Sequence, residues 1–214
     1  MDFSKRIGKL NPDAIFELDG YFVWCGTMTR DDDGLYFLYF SFWEKELGFD
    51  AWVTHSKVGY ATGKDPFGKF EYGGIALDGR GHGYWDRDCI HNPSVIKHNG
   101  KYYLTYSANH TRSEDYAIGY AVSDNPLGPF EKYEGNPILH KTGAVNGTGH
   151  HSFVRSIDGS ELICVYHCHC DKFNFQPRKV CIDRARFSVD DNGRDVLVID
   201  GPTTTPQKSF GSKS

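Results

Sequence analysis

Residues 90–107 read Ile90-His91-Asn92-Pro93-Ser94-Val95-Ile96-Lys97-His98-Asn99-Gly100-Lys101-Tyr102-Tyr103-Leu104-Thr105-Tyr106-Ser107, and this stretch decides the fold. Two strand-like runs flank Asn99-Gly100, the dipeptide best suited to a two-residue hairpin turn because both central positions need positive φ. After the turn, Tyr102, Leu104 and Tyr106 alternate with Tyr103, Thr105 and Ser107. That is the period of two of a strand, with aromatic and β-branched content to match. The stretch predicts an antiparallel hairpin preceded by a short polar segment at His91 and Asn92.

The hairpin recurs. Asp33-Gly34-Leu35-Tyr36-Phe37-Leu38-Tyr39-Phe40-Ser41 aligns with Asn99 to Ser107. Further on, Val58-Gly59-Tyr60-Ala61-Thr62 aligns with Ile118-Gly119-Tyr120-Ala121-Val122, and Asp65-Pro66-Phe67-Gly68 aligns with Asn125-Pro126-Leu127-Gly128. Both of these pairs keep an offset of 60 residues, Gly59 to Gly119 and Pro66 to Pro126. A third, more diverged copy runs through Asp158-Gly159-Ser160-Glu161-Leu162-Ile163-Cys164-Val165-Tyr166-His167, with later strands at 179–187 and 196–200.

Each unit reads as four short antiparallel strands in about 60 residues, the pattern of a propeller blade. The expectation is an all-β chain, a single β-propeller-type domain over 1–214 built of four-stranded antiparallel blades. The blades fall at 21–78, 92–140 and 148–201, with inner strands at 22–29, 94–98 and 152–155. Residues 8–18, whose Asn11-Pro12 echoes Asn136-Pro137, are expected to be the outer strand of an incomplete blade. That makes about three and a fraction blades, below the usual four to eight. The chain is then a fragment, or a partner covers its edge, or its sheets close unusually. A non-repetitive β-sandwich is the competing fold, and the shared offset argues against it.

Composition agrees. Aromatic residues make up 15% and there are 24 Gly against 2 Met, a mix that suits strands, tight turns and surfaces that stack on sugar rings. The net charge of −4 excludes a nucleic-acid partner that relies on a basic stripe. No run approaches the roughly 20 apolar residues of a membrane span, so no membrane partner is expected. Residues 1–10 hold no apolar core of signal-peptide length, which points to a cytoplasmic location. The six cysteines are Cys25, Cys89, Cys164, Cys168, Cys170 and Cys181. They lack the paired CxxC spacing of structural zinc and read as reduced thiols.

Several motifs resemble glycoside hydrolase family 43, the five-bladed propeller arabinosidases, xylosidases and arabinanases. They are Gly147-Thr148-Gly149-His150-His151-Ser152-Phe153, Val165-Tyr166-His167-Cys168-His169, Arg178 to Arg184, Gly201-Pro202-Thr203-Thr204-Thr205-Pro206-Gln207, and Tyr116 to Leu139. Trp24-Cys25-Gly26-Thr27, Trp85-Asp86 and His91-Asn92-Pro93 resemble related family-43-like propellers. The resemblance covers most of 20–207. It implies inverting hydrolysis of O-glycosidic bonds in arabinose- or xylose-containing glycans at the axial end of the propeller. An Asp base activates water, a Glu acid protonates the leaving oxygen and a second Asp tunes the acid. Inversion requires two carboxyl groups spaced widely enough to admit that water. Where the family commonly carries Glu-Gly-Pro, this chain has His91-Asn92-Pro93.

Asp86 and Asp88, close to Arg87 and His91, are the candidate catalytic groups, either an acid–base pair or a solvated loop neutralised by Arg87. His91 joins them as a weak acid or a sugar hydrogen-bond partner. Trp24, Trp52 and Trp85 are candidate sugar platforms. Asn92, His151 and Arg178 complete the candidate substrate-binding set, Arg178 by gripping two hydroxyls with its planar fork. The loop carrying Asp50, Trp52 and His55 is long enough to reach over a cavity. By the resemblance, His150 faces the central channel and contacts calcium or another cation; calcium prefers oxygen ligands, so one histidine alone makes a weak site. Asp31-Asp32-Asp33-Gly34 lacks the spaced oxygens of a calcium loop and reads as a turn.

The sequence thus predicts a glycosidase with no redox or nucleotide cofactor and an oligo- or polysaccharide partner, in which a homo-oligomer covers the open blade edges. The alternatives are a non-catalytic carbohydrate-binding propeller and an incomplete propeller that needs a partner chain.

Overall fold

Asn99 and Gly100 adopt φ of 47° and 79°, and His98 pairs directly with Lys101, so the turn at the centre of the opening stretch is a two-residue left-handed one. The computed structural model describes residues 8, 9 and 11–209.

Three four-stranded antiparallel sheets follow one another along the chain. The first holds β1 (Tyr21–Arg30), β2 (Tyr36–Glu44), β3 (Lys57–Gly63) and β4 (Glu71–Leu77). The second holds β5 (Ile90–His98), β6 (Lys101–Ala108), β7 (Ala117–Ser123) and the short β8 (Glu131–Lys132). The third holds β9 (Gly149–Arg155), β10 (Leu162–Cys168), β11 (Lys179–Val189) and β12 (Asp195–Ile199). Strand order within each sheet is the chain order. The fold is all-β, a partial β-propeller. Between β2 and β3, residues 45–55 form two 3-10 turns and the one-turn helix α1 (Trp52–His55).

The expected outer strand at 8–18 is corrected by the structure. Asn11 caps a 3-10 turn at Pro12–Ala14 through its side chain, and residues 15–18 form no strand; Leu10 lies outside the described residues. Proline at the first turn position and the Asn11 cap favour a turn over a ladder. Phe16 and Leu18 then pack on Phe40 and Phe42 of β2.

The alternating strands bury their apolar faces between sheets. Phe37, Tyr39, Val58 and Leu77 of the first blade meet Ile90, Leu104, Tyr106 and Ala121 of the second. Tyr103, Ile118, Tyr120 and Leu139 meet Leu162, Cys164, Tyr166 and Leu197 of the third. Each large side chain removed from water in this way contributes roughly 2–3 kcal/mol.

All three inner strands carry the same irregularity. Cys25 in β1, Asn92 in β5 and His150 in β9 have φ of 50°, 53° and 50°, and strand register slips at each of them. These are β-bulges, which aim side chains off the regular ladder. The bulge N–H of Asn92 donates to Ser41 Oγ of the preceding blade (2.9 Å), and that of His150 donates to Ser107 Oγ (2.8 Å). Ser41 pairs with Trp24, Ser107 with His91 and His167 with Gly149, so His167 holds the corresponding place in the third blade. Its Nε2 is buried without a partner. Gly149 is required where β9 passes the second blade, because a Cβ there would lie 2.0 Å from the Tyr116 ring.

Candidate functional site

The bulges converge. Cys25 Sγ lies 4.0 Å from His150 Nε2, joining the first inner strand to the third. Beside this meeting point opens a cavity of about 400 Å³. Its walls are aromatic: Trp24 and Trp43 from the first blade, Phe49 and Trp52 from the 45–55 loop, Tyr116 from the second blade and Phe175 from the third. Its polar lining is Ser41, Ser56, His91, Asn92, Thr111, Arg112, His150, Gln176 and Arg178.

His91 is buried at the cavity base. Its Nε2 lies 2.6 Å from the Tyr116 hydroxyl and its Nδ1 lies 3.5 Å from Cys89 Sγ. The ring stacks on Tyr116 and meets Trp52 edge-on. Burial first, then the positive field of His150 and Arg178, pushes its pKa down to about 3, so it is a neutral imidazole near neutral pH. Burial thus disfavours the protonated form that an acid would need, and the ring is placed to orient Tyr116. Asn92 Nδ2 donates to the same Tyr116 oxygen at 3.2 Å. Burial raises the Tyr116 pKa, which keeps its hydroxyl protonated.

Arg178 projects in from the third blade just ahead of β11. One of its Nη groups donates to Thr111 Oγ1 at 3.0 Å, while its Nε is buried without a hydrogen-bond partner. Among the described residues no carboxylate forms an ion pair with it. Arg112 lies over the Phe175 ring at 5.2 Å.

Four further expectations are corrected. Asp86 is fully buried, ion-paired to Lys132 at 2.6 Å and to Arg80 at 3.0 Å, and accepts from the Tyr106 hydroxyl at 3.2 Å. Burial alone would raise its pKa, but these two cations outweigh it and hold the carboxyl below its usual range. It is a locked structural ion outside the cavity lining. Asp88 pairs with its neighbour Arg87 at 3.3 Å and does not line the cavity either. Trp85 stacks on Tyr106 at 5.6 Å and packs over Gly119, so it is core and not a platform. His151 is buried between the second and third blades with Nε2 2.7 Å from Thr105 Oγ1, and burial holds its pKa at about 3. Trp24, Trp52, Asn92 and Arg178 are brought together in the cavity, as is His150.

From the 45–55 loop, Phe49 and Trp52 reach the lining, whereas Asp50 and His55 do not. Sequence reasoning missed Trp43, Phe49, Tyr116 and Phe175. An aromatic residue in a long inter-strand loop was the available signal for Phe49; Tyr116 and Phe175 are recognisable only once the blades are packed.

His150 is exposed to the channel, and burial followed by the Arg178 charge lowers its pKa. Among the described residues no group of three or more His, Cys, Asp or Glu side chains could hold a metal ion. His150 offers a channel cation one imidazole, which does not fit the oxygen-rich shell calcium prefers.

The lining can stack on sugar faces, donate hydrogen bonds to hydroxyls and grip two oxygens at once. No described residue of the lining is a carboxylate, so the two carboxyl groups of inverting hydrolysis do not come from it. The profile of glycosyl hydrolases family 43 matches residues 26–192. The chain belongs to that family.

Among curated relatives, the β-D-galactofuranosidase xynD of Aspergillus niger is 30% identical over 161 residues, covering 74% of this chain and 41% of its own length. A thermostable family-43 glycoside hydrolase is similar in structure with TM-score 0.73 and 35% identity, covering 92% of this chain and 64% of that one. The endo-1,4-β-xylanase of Bacteroides thetaiotaomicron follows with TM-score 0.66 and 30% identity, covering 84% and 58%. The chain thus spans less than two thirds of the length of each of these family-43 proteins.

Proposed function

We propose that this chain forms the glycan-gripping part of a family-43 glycoside hydrolase that cleaves O-glycosidic bonds in arabinose- or xylose-containing glycans with inversion. The observation that carries this reading is an aromatic-walled cavity holding Arg178 at the meeting point of the bulged inner strands, within a chain of this family. Trp24 and Trp52 supply stacking surfaces, Asn92 and Arg178 supply donors to hydroxyls, and His91 with Asn92 fixes the Tyr116 hydroxyl. The acid and base are supplied from outside the described lining.

Turnover of aryl arabinofuranosides and xylosides, measured with binding of the corresponding oligosaccharides, tests the reading. Hydrolysis supports it. Failure to bind the oligosaccharides removes it, and binding with no turnover from acid to alkaline pH favours a second reading, a carbohydrate-binding propeller. The absence of a carboxylate from the described lining favours that second reading.

A homo-oligomer is part of the proposal, supported by the exposed Val154, Val180 and Ile182 on the third blade. A monomer mass by size exclusion with light scattering would remove it. A reducing, cytoplasmic location is proposed on the strength of six unbridged cysteines.

A further inference from the structure

We infer that the cavity takes an acidic glycan: a uronic acid residue whose carboxylate is gripped by Arg178, with its ring against the aromatic walls. The inference rests on the reading of this cavity as a sugar site and narrows its ligand.

The chain as a whole is acidic, with 28 Asp and Glu against 24 Lys and Arg. The cavity has the opposite balance. Arg112 and Arg178 line it, and none of its described lining residues is Asp or Glu. Its two histidines are both pushed toward the neutral form, His91 by burial and then the charges of His150 and Arg178, His150 by burial and then Arg178, so they add little further positive charge.

Five arginines elsewhere in the chain are matched to anions. Arg80 pairs with Asp86, Arg87 with Asp88, Arg184 with Glu161, Arg186 with Asp200, and Arg194 with Asp190 and Glu134. Arg178 has only the Thr111 hydroxyl, and its Nε–H is buried with nothing to accept it. A half-buried guanidinium with an idle donor is costly, and the cost is removed when a carboxylate accepts two parallel N–H bonds from the fork.

A neutral sugar hydroxyl satisfies the donor but leaves the charge uncompensated. A hexuronic acid satisfies both. The Trp24 and Trp52 walls offer stacking faces to its pyranose ring, and D-glucuronate is the xylose ring carrying a carboxylate on C5. Charge, geometry and shape therefore select the same ligand class.

Isothermal titration with a glucuronic acid-substituted xylotriose and with unsubstituted xylotetraose decides the matter. The acidic oligosaccharide is expected to bind about tenfold tighter or more at low ionic strength, as a charge-assisted fork contact implies. Arg178→Gln is expected to weaken both ligands but the acidic one at least about tenfold more, so that the preference is lost, and Arg178→Lys to restore part of it. If Arg178→Gln fails to fold, the wild-type protein still answers: raising salt from about 50 to 500 mM shrinks the preference and spares the neutral ligand. Equal or tighter binding of xylotetraose, or a preference insensitive to both salt and Arg178→Gln, overturns the inference and leaves the sugar-site reading intact. Failure of both oligosaccharides to bind overturns the two together.

Discussion

Ser107 Oγ accepts the backbone N–H of His150 at 2.8 Å across the junction between the second and third blades, and Ser41 does the same for Asn92 at 2.9 Å across the first junction. Both serines are fully buried and sit opposite the residue just before a bulge. A bulged N–H cannot join its own ladder, so the neighbouring blade supplies the acceptor. The device fixes the angular position of each inner strand and hence of the side chains that meet at the cavity.

Ser107→Ala is expected to destabilise the fold by about 1–2 kcal/mol, because the His150 N–H would be left buried and unpaired. Urea unfolding checks it, and glycan affinity should fall with stability as His150 shifts. A change under a few tenths of a kcal/mol would show that the junction does not depend on this bond.

His91 and His151 are buried and neutral, with pKa lowered to about 3. Their unfolded values lie near 6.5, so between about pH 6.5 and 3 the unfolded chain binds more protons than the folded one. Stability is therefore complete above pH 6.5 and falls as pH drops through that window, by about 2 kcal/mol per histidine at pH 5. Replacing His151 by Gln should remove about one proton from the slope of unfolding free energy against pH. An unchanged slope would mean that His151 is already protonated in the fold.

Asp86→Asn is expected to cost about 3–5 kcal/mol, since it leaves Lys132 without its buried partner and Arg80 without its closest anion. Thermal unfolding should show the loss, while any folded fraction binds glycan normally because Asp86 lies outside the cavity lining. Full stability with abolished hydrolysis would return Asp86 to the catalytic machinery.

Trp24 and Trp52 differ in what else they do. Trp24 is 52% exposed and meets Phe49 at its edge, whereas Trp52 packs against the buried His91. Trp24→Ala should weaken oligosaccharide binding about tenfold with little change in Tm, as loss of one stacking face implies. Trp52→Ala should lower both affinity and Tm. Unchanged affinity in Trp24→Ala would take that ring out of the site.

The hairpin at Asn99-Gly100, the repeat offset and the period-two strands were legible in the sequence because turn chemistry and strand alternation act over a few residues. Arg178 and Trp24 were legible through motif resemblance, and Trp52 as an aromatic residue on a long loop between strands. Asp86 was misread for a physical reason. Its nearest sequence neighbours suggest an exposed acidic loop, yet the ions that lock it are Arg80, six residues before it, and Lys132, 46 residues after it on another strand. His91 was likewise read as a possible acid because a single chain cannot show that Tyr116 and Trp52 close around it.

By itself, then, the sequence determined the blade as a local unit: four short strands, a left-handed hairpin turn and the residues able to bulge. Only the tertiary structure decided which polar groups face a common space and which are neutralised in the core. Burial and long-range charge set those properties, and neither exists until the blades pack.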